Sequence, residues 1–576
     1  MKIWILVLIT SLAALPGAVR SDITGLVIDS DSGLPVEGAR VRVQATTEEP
    51  VMTDADGRFT LTDTPAGSSV ITAVTTYDPA RNVNYITGAA NAQDGDDVLI
   101  TLQPLPPEDL PTLYEPGTSF NCAACHADQH ADWQQSTHSN AGVNEWVLDL
   151  FSGSGTPGGD NGYVFRDLHG DDDTGFCATC HTPLADMQDP GNVFMDEVGL
   201  IGGLDGVTCL ACHQMADVNE NVSALHHLGN TEYRYPDDAT TQFWVWGPLD
   251  DVSFSTMRAS YQPQFTESRF CASCHEYNNP DTGAPGQNTY TEWLASPFSV
   301  EGPGFRSCQD CHMPAAESDG PISSLGGQPI RPANQRRSHS FKGSTPTSLS
   351  ESIDLTVDAE QVGSELRVTA AVSNFGAGHA FPTGISIRNA LLVIDVRVDG
   401  APLAQSTGGT IPFYGSAQGS STPDDLAGRP GKGFARVLEG RINGEGPVVR
   451  PVLFIDAEGV SSDTRIPSGA TDISEYRFDL SGLEVDSSAE VSARLLYRRA
   501  WRDTQVTKGW TTTPTGGPIE VEVSQQALSI PVRGVPLQPA IPVPGLNTFA
   551  AMALIFGLLL IAFGLRQPGL SRRVAP

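Results

Sequence analysis

Ten cysteines occur in this chain of 576 residues, and every one of them belongs to a C-x-x-C pair. The pairs are Cys122/Cys125, Cys177/Cys180, Cys209/Cys212, Cys271/Cys274 and Cys308/Cys311. A histidine follows each pair at once: His126, His181, His213, His275 and His312. Two thiols at this spacing can add to the two vinyl groups on one edge of a porphyrin. The next imidazole then reaches the iron as proximal ligand. Five copies that use every cysteine predict five covalently bound haem c groups.

Other uses of the cysteines fit less well. Two C-x-x-C pairs can share a zinc ion, but five pairs do not divide into four-cysteine sites, and zinc needs no histidine after each pair. Structural disulfides suit an exported chain, but they would not repeat one spacing five times.

Each iron also needs a second axial ligand or an open face, and that choice separates electron transfer from chemistry on a substrate. Twelve histidines less the five proximal ones leave seven: His130, His138, His169, His226, His227, His339 and His379. The candidate distal ligands are His138, His379, His339, His227 and His169. His226 and His227 are adjacent, so their side chains diverge and one of them is expected to bind. His130 is expected to face solvent or a haem propionate. Met187, Met215 and Met257 could substitute. Met313 directly follows proximal His312 and cannot reach the opposite face of that haem. Trp133 is assigned to the protein core. The stretch "SNFGAGHAFPTG" ends an alternating strand and enters a turn. There Gly376 and Gly378 would let the backbone approach a porphyrin, Pro382 would stiffen the exit, and Phe381 would lie against the ring edge.

The predicted fold class is multidomain: an N-terminal β-sandwich, a mostly α or irregular multihaem domain, a C-terminal β-sandwich and a single C-terminal apolar helix. Residues 1–21 read as a secretory signal peptide, with a lysine, an apolar stretch and then small residues. Residues 22–104 alternate with period two between Asp-Gly, Pro and Ser clusters, which predicts a β-sandwich. Residues 105–118 are proline-rich and predict a stiff spacer. Residues 119–345 carry all five motifs but few long apolar periods. That pattern suits a domain whose buried apolar mass is porphyrin, with "HADWQQSTHSNAGVNEWVLDLF" as its best helical stretch. Residues 350–533 alternate again, in "SELRVTAAVSNF", "NALLVIDVRVDG", "ISEYRFDL", "AEVSARLLYRRAW" and "PIEVEVSQQALSIPV", which predicts a second sandwich. A tether over 534–548 leads to an uncharged apolar run over 549–565, long enough for a short membrane-spanning helix. Arg566, Arg572 and Arg573 lie in the basic tail of 566–576 and would keep it cytoplasmic, with the body outside.

The net charge is −34, and only four of the 34 basic residues are lysine. Such a surface argues against nucleic acid as a partner and favours cationic redox proteins.

Three resemblances add to this reading. "GLPVEGARVRV" and "TDADGRFTL" resemble the carboxypeptidase regulatory-like domain, which implies a structural or adhesive module without catalysis of its own. "IPVPGL", the apolar run and the following arginines resemble bacterial C-terminal sorting tails of the CTERM type, which implies recognition and possible removal. "CAACHADQHADWQQSTH" resembles the C-x-x-C-H…W-x-x-S-x-H signature of multihaem cytochromes. These are related to the tetrahaem cytochrome c that accepts electrons from hydroxylamine oxidoreductase. "GVTCLACH", "FCASCH", "CQDCHMP" and "GHAFPTG" are similar to that family too. The likeness implies closely packed haems, and it implies that His138 serves a later haem than its own motif's.

The expected function is therefore an exported pentahaem cytochrome, periplasmic or at the cell surface, that passes electrons between redox proteins. It would touch the membrane through the C-terminal helix if that helix is retained. The alternative is a haem oxidoreductase acting on a small nitrogen or sulfur compound at a five-coordinate iron. Ammonia-forming nitrite reductases carry a C-x-x-C-K motif, and this chain has none. A third reading, a filament or adhesive subunit, is motivated by the two β modules.

Overall fold

The computed structural model describes residues 22–76, 84–109, 118–187, 189–201, 203–219, 231–236, 243–254 and 257–535. The expected signal peptide, His226, His227 and the apolar run of 549–565 with its basic tail lie outside the described residues, as does most of the tether. No helix among the described residues is long and apolar enough to cross a membrane.

The chain is multidomain and rich in β-sheet. The N-terminal unit is a two-sheet sandwich. Strand Ile23–Asp29 lies between Arg58–Leu61 and Asp97–Leu102, antiparallel to the first and parallel to the second. The facing sheet runs Val51–Met52, Arg40–Val43, Ser69–Val74, Gly88–Ala92. Alternate residues Ile23, Val27, Val41, Phe59, Ile71 and Ile100 fill the space between the sheets. The "TDADG" turn that helps mark this unit is held by Asp54, whose Oδ1 accepts from the Asp56 and Arg58 amides at 3.0 and 2.8 Å. Gly57 takes φ +72°, and a Cβ there would stand 2.6 Å from the Val27 carbonyl oxygen, so glycine is required.

The described start of the proline-rich segment, residues 105–109, packs on the following domain. Leu105 is buried with Ala216, Trp244 and Trp246 of the following domain. Asp109 accepts from Arg234 Nε at 3.0 Å and from the Tyr235 amide at 2.9 Å. The module itself docks on the same domain. Arg40 and Arg42 pair with Asp250 at 2.9 and 3.0 Å, and the Ala45 amide donates to Asp251 at 2.6 Å. Asp251 also receives Arg331 at 2.8 Å, and both side chains are only 2% exposed. Apolar and ionic burial together make the module part of the body of the molecule.

The C-terminal unit is the second sandwich. One sheet orders Ile353–Val362, Glu365–Asn374, Thr471–Asp479 and Gln405–Thr407. The other orders Ala401–Pro402, Asn389–Val398, Ser487–Arg498 and Glu520–Val532, with Gly431–Phe434 also paired to Asn389–Val398. All five stretches expected to be strands are strands. Alternating Leu366, Val368, Ala370 and Val372 face the core with Ile353 and Leu355. The Gly/Ser/Pro-rich segment between strands is irregular but not idle, since Ile411, Tyr414 and Leu426 are buried in a second apolar cluster.

Between the sandwiches the motif-bearing domain is built of short pieces. Among the described residues its helices reach at most eight residues, as in Ala127–Gln134 and Ser268–His275. The stretch read as one helix is two, Ala127–Gln134 and Glu145–Phe151, the second capped by Asn144, whose Oδ1 accepts from the Trp146 and Val147 amides. Three two-stranded ribbons, which the sequence reading missed, add to them. One of these, Phe243–Gly247 with Met257–Tyr261, is parallel. The apolar clusters of this domain are small, such as Met215, Val218, Phe270 and Ala272.

Candidate haem centres

Four of the five C-x-x-C-H segments lie on a helix. Cys177–His181, Cys209–His213 and Cys308–His312 are five-residue helices, and Ser268–His275 ends on the fourth motif. One helical turn brings residues three and four apart onto the same side, so in these four both thiols and the imidazole face one space. Local capping sets two of the turns. Thr208 Oγ1 accepts from the Ala211 amide at 3.3 Å. Ser307 and Asp310 form a reciprocal capping box.

Cys125 of the first motif departs from that pattern. The helix Thr118–Ala123 ends two residues before it. A turn carries this cysteine instead. The Cys125 and His126 amides both donate to the Cys122 carbonyl, at 3.1 and 2.8 Å. The Cys125 carbonyl accepts from the Ser324 amide at 2.7 Å and from Ser324 Oγ at 3.1 Å. Cys125 remains half-buried. If it holds a haem vinyl group, Ser324 rather than a continuous helix sets its position.

The five motifs form one cluster. Side chains of different motifs touch at Cys122 with Cys209, Cys180 with Cys274, and Cys271 with Cys308. All ten cysteines are free, so the structure pairs none of them as disulfides. Among the described residues no group of three or more His, Cys, Asp or Glu side chains is gathered to hold a single ion.

All five proximal candidates have Nδ1 occupied. His126 contacts the Ile322 carbonyl at 2.9 Å, His181 that of Ala141 at 3.2 Å and His213 that of Trp246 at 2.7 Å. His312 contacts the Lys342 carbonyl, and His275 meets the side-chain amide of Gln287 at 3.0 Å. A carbonyl can only accept, so at those four rings Nδ1 carries the proton and Nε2 keeps its lone pair. Burial, ahead of neighbouring charges, lowers His138 to about 3 and His213 and His275 to about 4. These rings are neutral, the state in which imidazole binds a metal.

Three of the proximal rings face a second histidine. His213 and His339 have centroids 6.5 Å apart with planes 21° apart. His312 and His379 stand 6.4 Å apart at 19°. His275 and His138 stand 6.3 Å apart at 45°. Two imidazoles bonded to one metal at about 2.0–2.1 Å each, with about 1.1 Å from ring nitrogen to ring centre, hold their centroids about 6.3 Å apart. The residues present therefore fit an iron between each of these three pairs. His339 and His379 also have Nδ1 on carbonyls, those of Arg337 and Ala380, both at 3.1 Å.

His169 is placed differently. It stacks on Phe165, with centroids 4.2 Å apart, and its Nε2 lies 2.9 Å from Asp456 Oδ1 of the C-terminal sandwich. The described residues bring no proximal ring against it, and the 2.9 Å approach to the carboxylate lacks hydrogen-bond geometry, so the expectation that it caps an iron stays an expectation. His130 packs near Trp133 at 5.5 Å. Trp133 is buried and donates to the Val207 carbonyl at 2.8 Å, a core role. Met215 is buried among Val218, Phe270 and Ala272, and Met187 accepts from the Tyr235 hydroxyl at 3.5 Å.

The turn around His379 also differs from expectation. A Cβ on Gly376 would lie 2.9 Å from Ser352 Cα, and one on Gly378 would lie 3.2 Å from Trp293. These glycines admit neighbouring protein rather than a porphyrin face. Phe381 is buried in the sandwich core and stacks with Tyr497. The turn is seated by Glu292, which accepts from the Ala380 amide at 3.2 Å and from Thr383 Oγ1 at 2.6 Å.

Sequence reasoning missed two kinds of residue. The carbonyls of Ile322, Ala141, Trp246 and Lys342 carry no sequence signal, because any residue has one. Phe341 touches both His138 (4.3 Å, edge-on) and His339 (6.0 Å), and a lone phenylalanine two residues after a histidine carries no signal of that.

Residues 22–102 match the carboxypeptidase regulatory-like domain. No curated protein matches the chain. Among solved structures, the chain resembles a penta-haem cytochrome c552 from Thermochromatium tepidum at 20% identity and TM-score 0.46, covering 72% of this chain and 98% of that one. It also resembles the pilus adhesin RrgA of Streptococcus pneumoniae at 18% identity and TM-score 0.12, covering 15% of each chain. Neither likeness is close enough to assign a function.

Proposed function

We propose that this protein is an exported multihaem c-type cytochrome that carries five covalent haems and conducts electrons between redox proteins. The observation that carries the reading is the set of three opposed imidazole pairs, His213/His339, His275/His138 and His312/His379, each at the spacing of two rings on one iron. Bound haem supplies an iron that changes oxidation state by one electron. The chain's residues supply the rest. The thiols of each motif would hold a porphyrin edge. The carbonyls on Nδ1 fix the tautomer and aim of each proximal ring. Ligands on both faces keep out water and small molecules, which favours transfer over substrate chemistry. The interlocked motifs would hold neighbouring haems close.

The signal peptide reading supports export, and the acidic chain supports cationic partners. The apolar run of 549–565 supports either a membrane anchor or a sorting tail, and the mature mass distinguishes them. The test of the main reading is a redox titration followed by electron paramagnetic resonance on purified full-length protein. Five haems by mass and at least three low-spin, two-imidazole signals are expected. A mass without added haem would end the proposal.

A second reading, a reductase or oxidase of a small nitrogen or sulfur compound, is favoured by His169. Its Nε2 lies beside Asp456 and faces no proximal ring among the described residues, which motivates an open iron at the first or second motif. A high-spin component that binds cyanide, nitrite or hydroxylamine would support it.

A further inference from the structure

The antiparallel ladder between Asn389–Val398 and Ser487–Arg498 ends with Asn389 opposite Arg498. Arg388 and Arg499 stand one residue beyond that end, outside the ladder, and their guanidinia are close enough to repel each other. A carboxylate between them would relieve that repulsion. Here neither arginine has one among the described residues. Arg388 donates from Nη1 to the Thr383 carbonyl at 3.4 Å. Arg499 donates to the Pro518 carbonyl at 2.5 Å and to the Ser344 carbonyl, and it lies over the Tyr497 ring at 5.9 Å. Its guanidinium is pushed down from its ordinary value, first by burial, with Arg388 adding to the effect. The nearby acid Glu292 is engaged by Arg465 at 2.5 Å and by Arg436 at 3.7 Å.

The position of this unneutralised pair is specific. Arg499 holds Ser344, two residues after Lys342, whose carbonyl receives His312 Nδ1. Arg388 holds Thr383, which lies four residues after His379 in the same turn. Arg388 also lies within electrostatic reach of the His275 and His379 rings. The two arginines thus flank the opposed rings of the fourth and fifth motifs. In a chain of net charge −34, this is positive charge that no carboxylate among the described residues pairs with.

We propose that Arg388 and Arg499 form a carboxylate clamp that binds haem propionates at the fourth and fifth motifs. The inference rests on the haem reading above. A porphyrin carries two carboxylates, and guanidinium forks bind carboxylates in a bidentate manner. The clamp would neutralise the strand-end repulsion and would tie the edge of the C-terminal sandwich to the cofactor it borders.

The experiment uses the full-length holoprotein with Arg388→Gln and Arg499→Gln, singly and together, and with Arg388→Lys and Arg499→Lys. Wild-type mass first establishes the haem count; a wild type without haem would sink the haem reading and leave the clamp without a ligand. With haem present, the Gln variants should titrate with one or two low-spin components at lower midpoint potential, because an uncompensated propionate favours the ferric state. The Lys variants should stay near wild type. Unchanged potentials in the double Gln variant, or Lys variants shifted as far as Gln, would overturn the clamp. If the Gln variants fail to accumulate as haem-loaded protein, an experimental structure of the wild-type holoprotein decides. Propionate oxygens within hydrogen-bond distance of both guanidinia support the clamp, and propionates directed elsewhere refute it.

Discussion

His379, on a turn of the C-terminal sandwich, faces His312 of the fifth motif with ring centroids 6.4 Å apart and planes 19° apart. The two residues are 67 positions apart in the chain and belong to different domains. If an iron sits between them, replacing His379 with alanine should convert one haem from low to high spin. It should also loosen the sandwich towards protease, since the metal bond would be one of its attachments. An unchanged spin count would remove the C-terminal domain from the redox unit.

His169→Gln should behave in the opposite way. Its ring contacts Asp456 and Phe165, not a proximal imidazole. The low-spin signals should all persist. Stability should fall by about 1 kcal/mol, the usual worth of one lost polar contact, because Asp456 keeps the Tyr163 hydroxyl at 2.9 Å and the Asn443 amide at 2.8 Å. Loss of a low-spin signal would establish His169 as a ligand.

Asp251→Ala removes the partner of Arg331, a pair in which both side chains are 2% exposed. An unpaired buried guanidinium costs about 3–5 kcal/mol. The same change frees the Ala45 amide at the edge of the N-terminal module. Limited proteolysis should release the module from the variant and not from wild type. Equal resistance of the two proteins would mean that the apolar contacts of Leu105, Trp244 and Trp246 hold the module without the ion pair.

Acid should weaken the seat of the His379 turn. Burial pushes the Asp463 carboxyl up, but Arg465 at 2.8 Å and Arg436 at 2.9 Å outweigh it and hold it below the usual range. A carboxylate lowered in the folded state stabilises fully above its unfolded value, about 3.9, and this contribution is lost as pH falls through the lower folded value. Wild type should therefore exceed Asp463→Asn in thermal stability near neutrality. The difference should shrink below about pH 4. A gap that stayed constant with pH would assign the effect to packing.

What the sequence determined by itself was local. Covalent attachment needs two thiols and an imidazole within five consecutive residues, so C-x-x-C-H is legible without a fold, and five copies read the same way. Their settings were not legible: Cys125 sits on a turn tied to Ser324, a residue 199 positions away, while the other four motifs are helical. Strand alternation is local too, and the stretches at 365–374, 389–398, 471–479, 487–498 and 520–532 were visible for that reason. Domain docking was not visible. "PLPP" reads as a stiff spacer until Leu105 and Asp109 meet Trp246 and Arg234 from residues more than a hundred positions away. The opposed histidines belong to the same class. His138 resembles a family ligand in sequence, but only chain packing selects His275 as the ring it faces, and only packing turns His169 towards Asp456. Arg388 and Arg499 look like two ordinary surface cations in a one-dimensional reading. The antiparallel ladder that ends at Asn389 and Arg498 brings them near each other across a separation of 111 residues. Tertiary structure decided these matters because the energy of a ligand, a buried ion pair or a charge clamp depends on distances that no short stretch of chain contains.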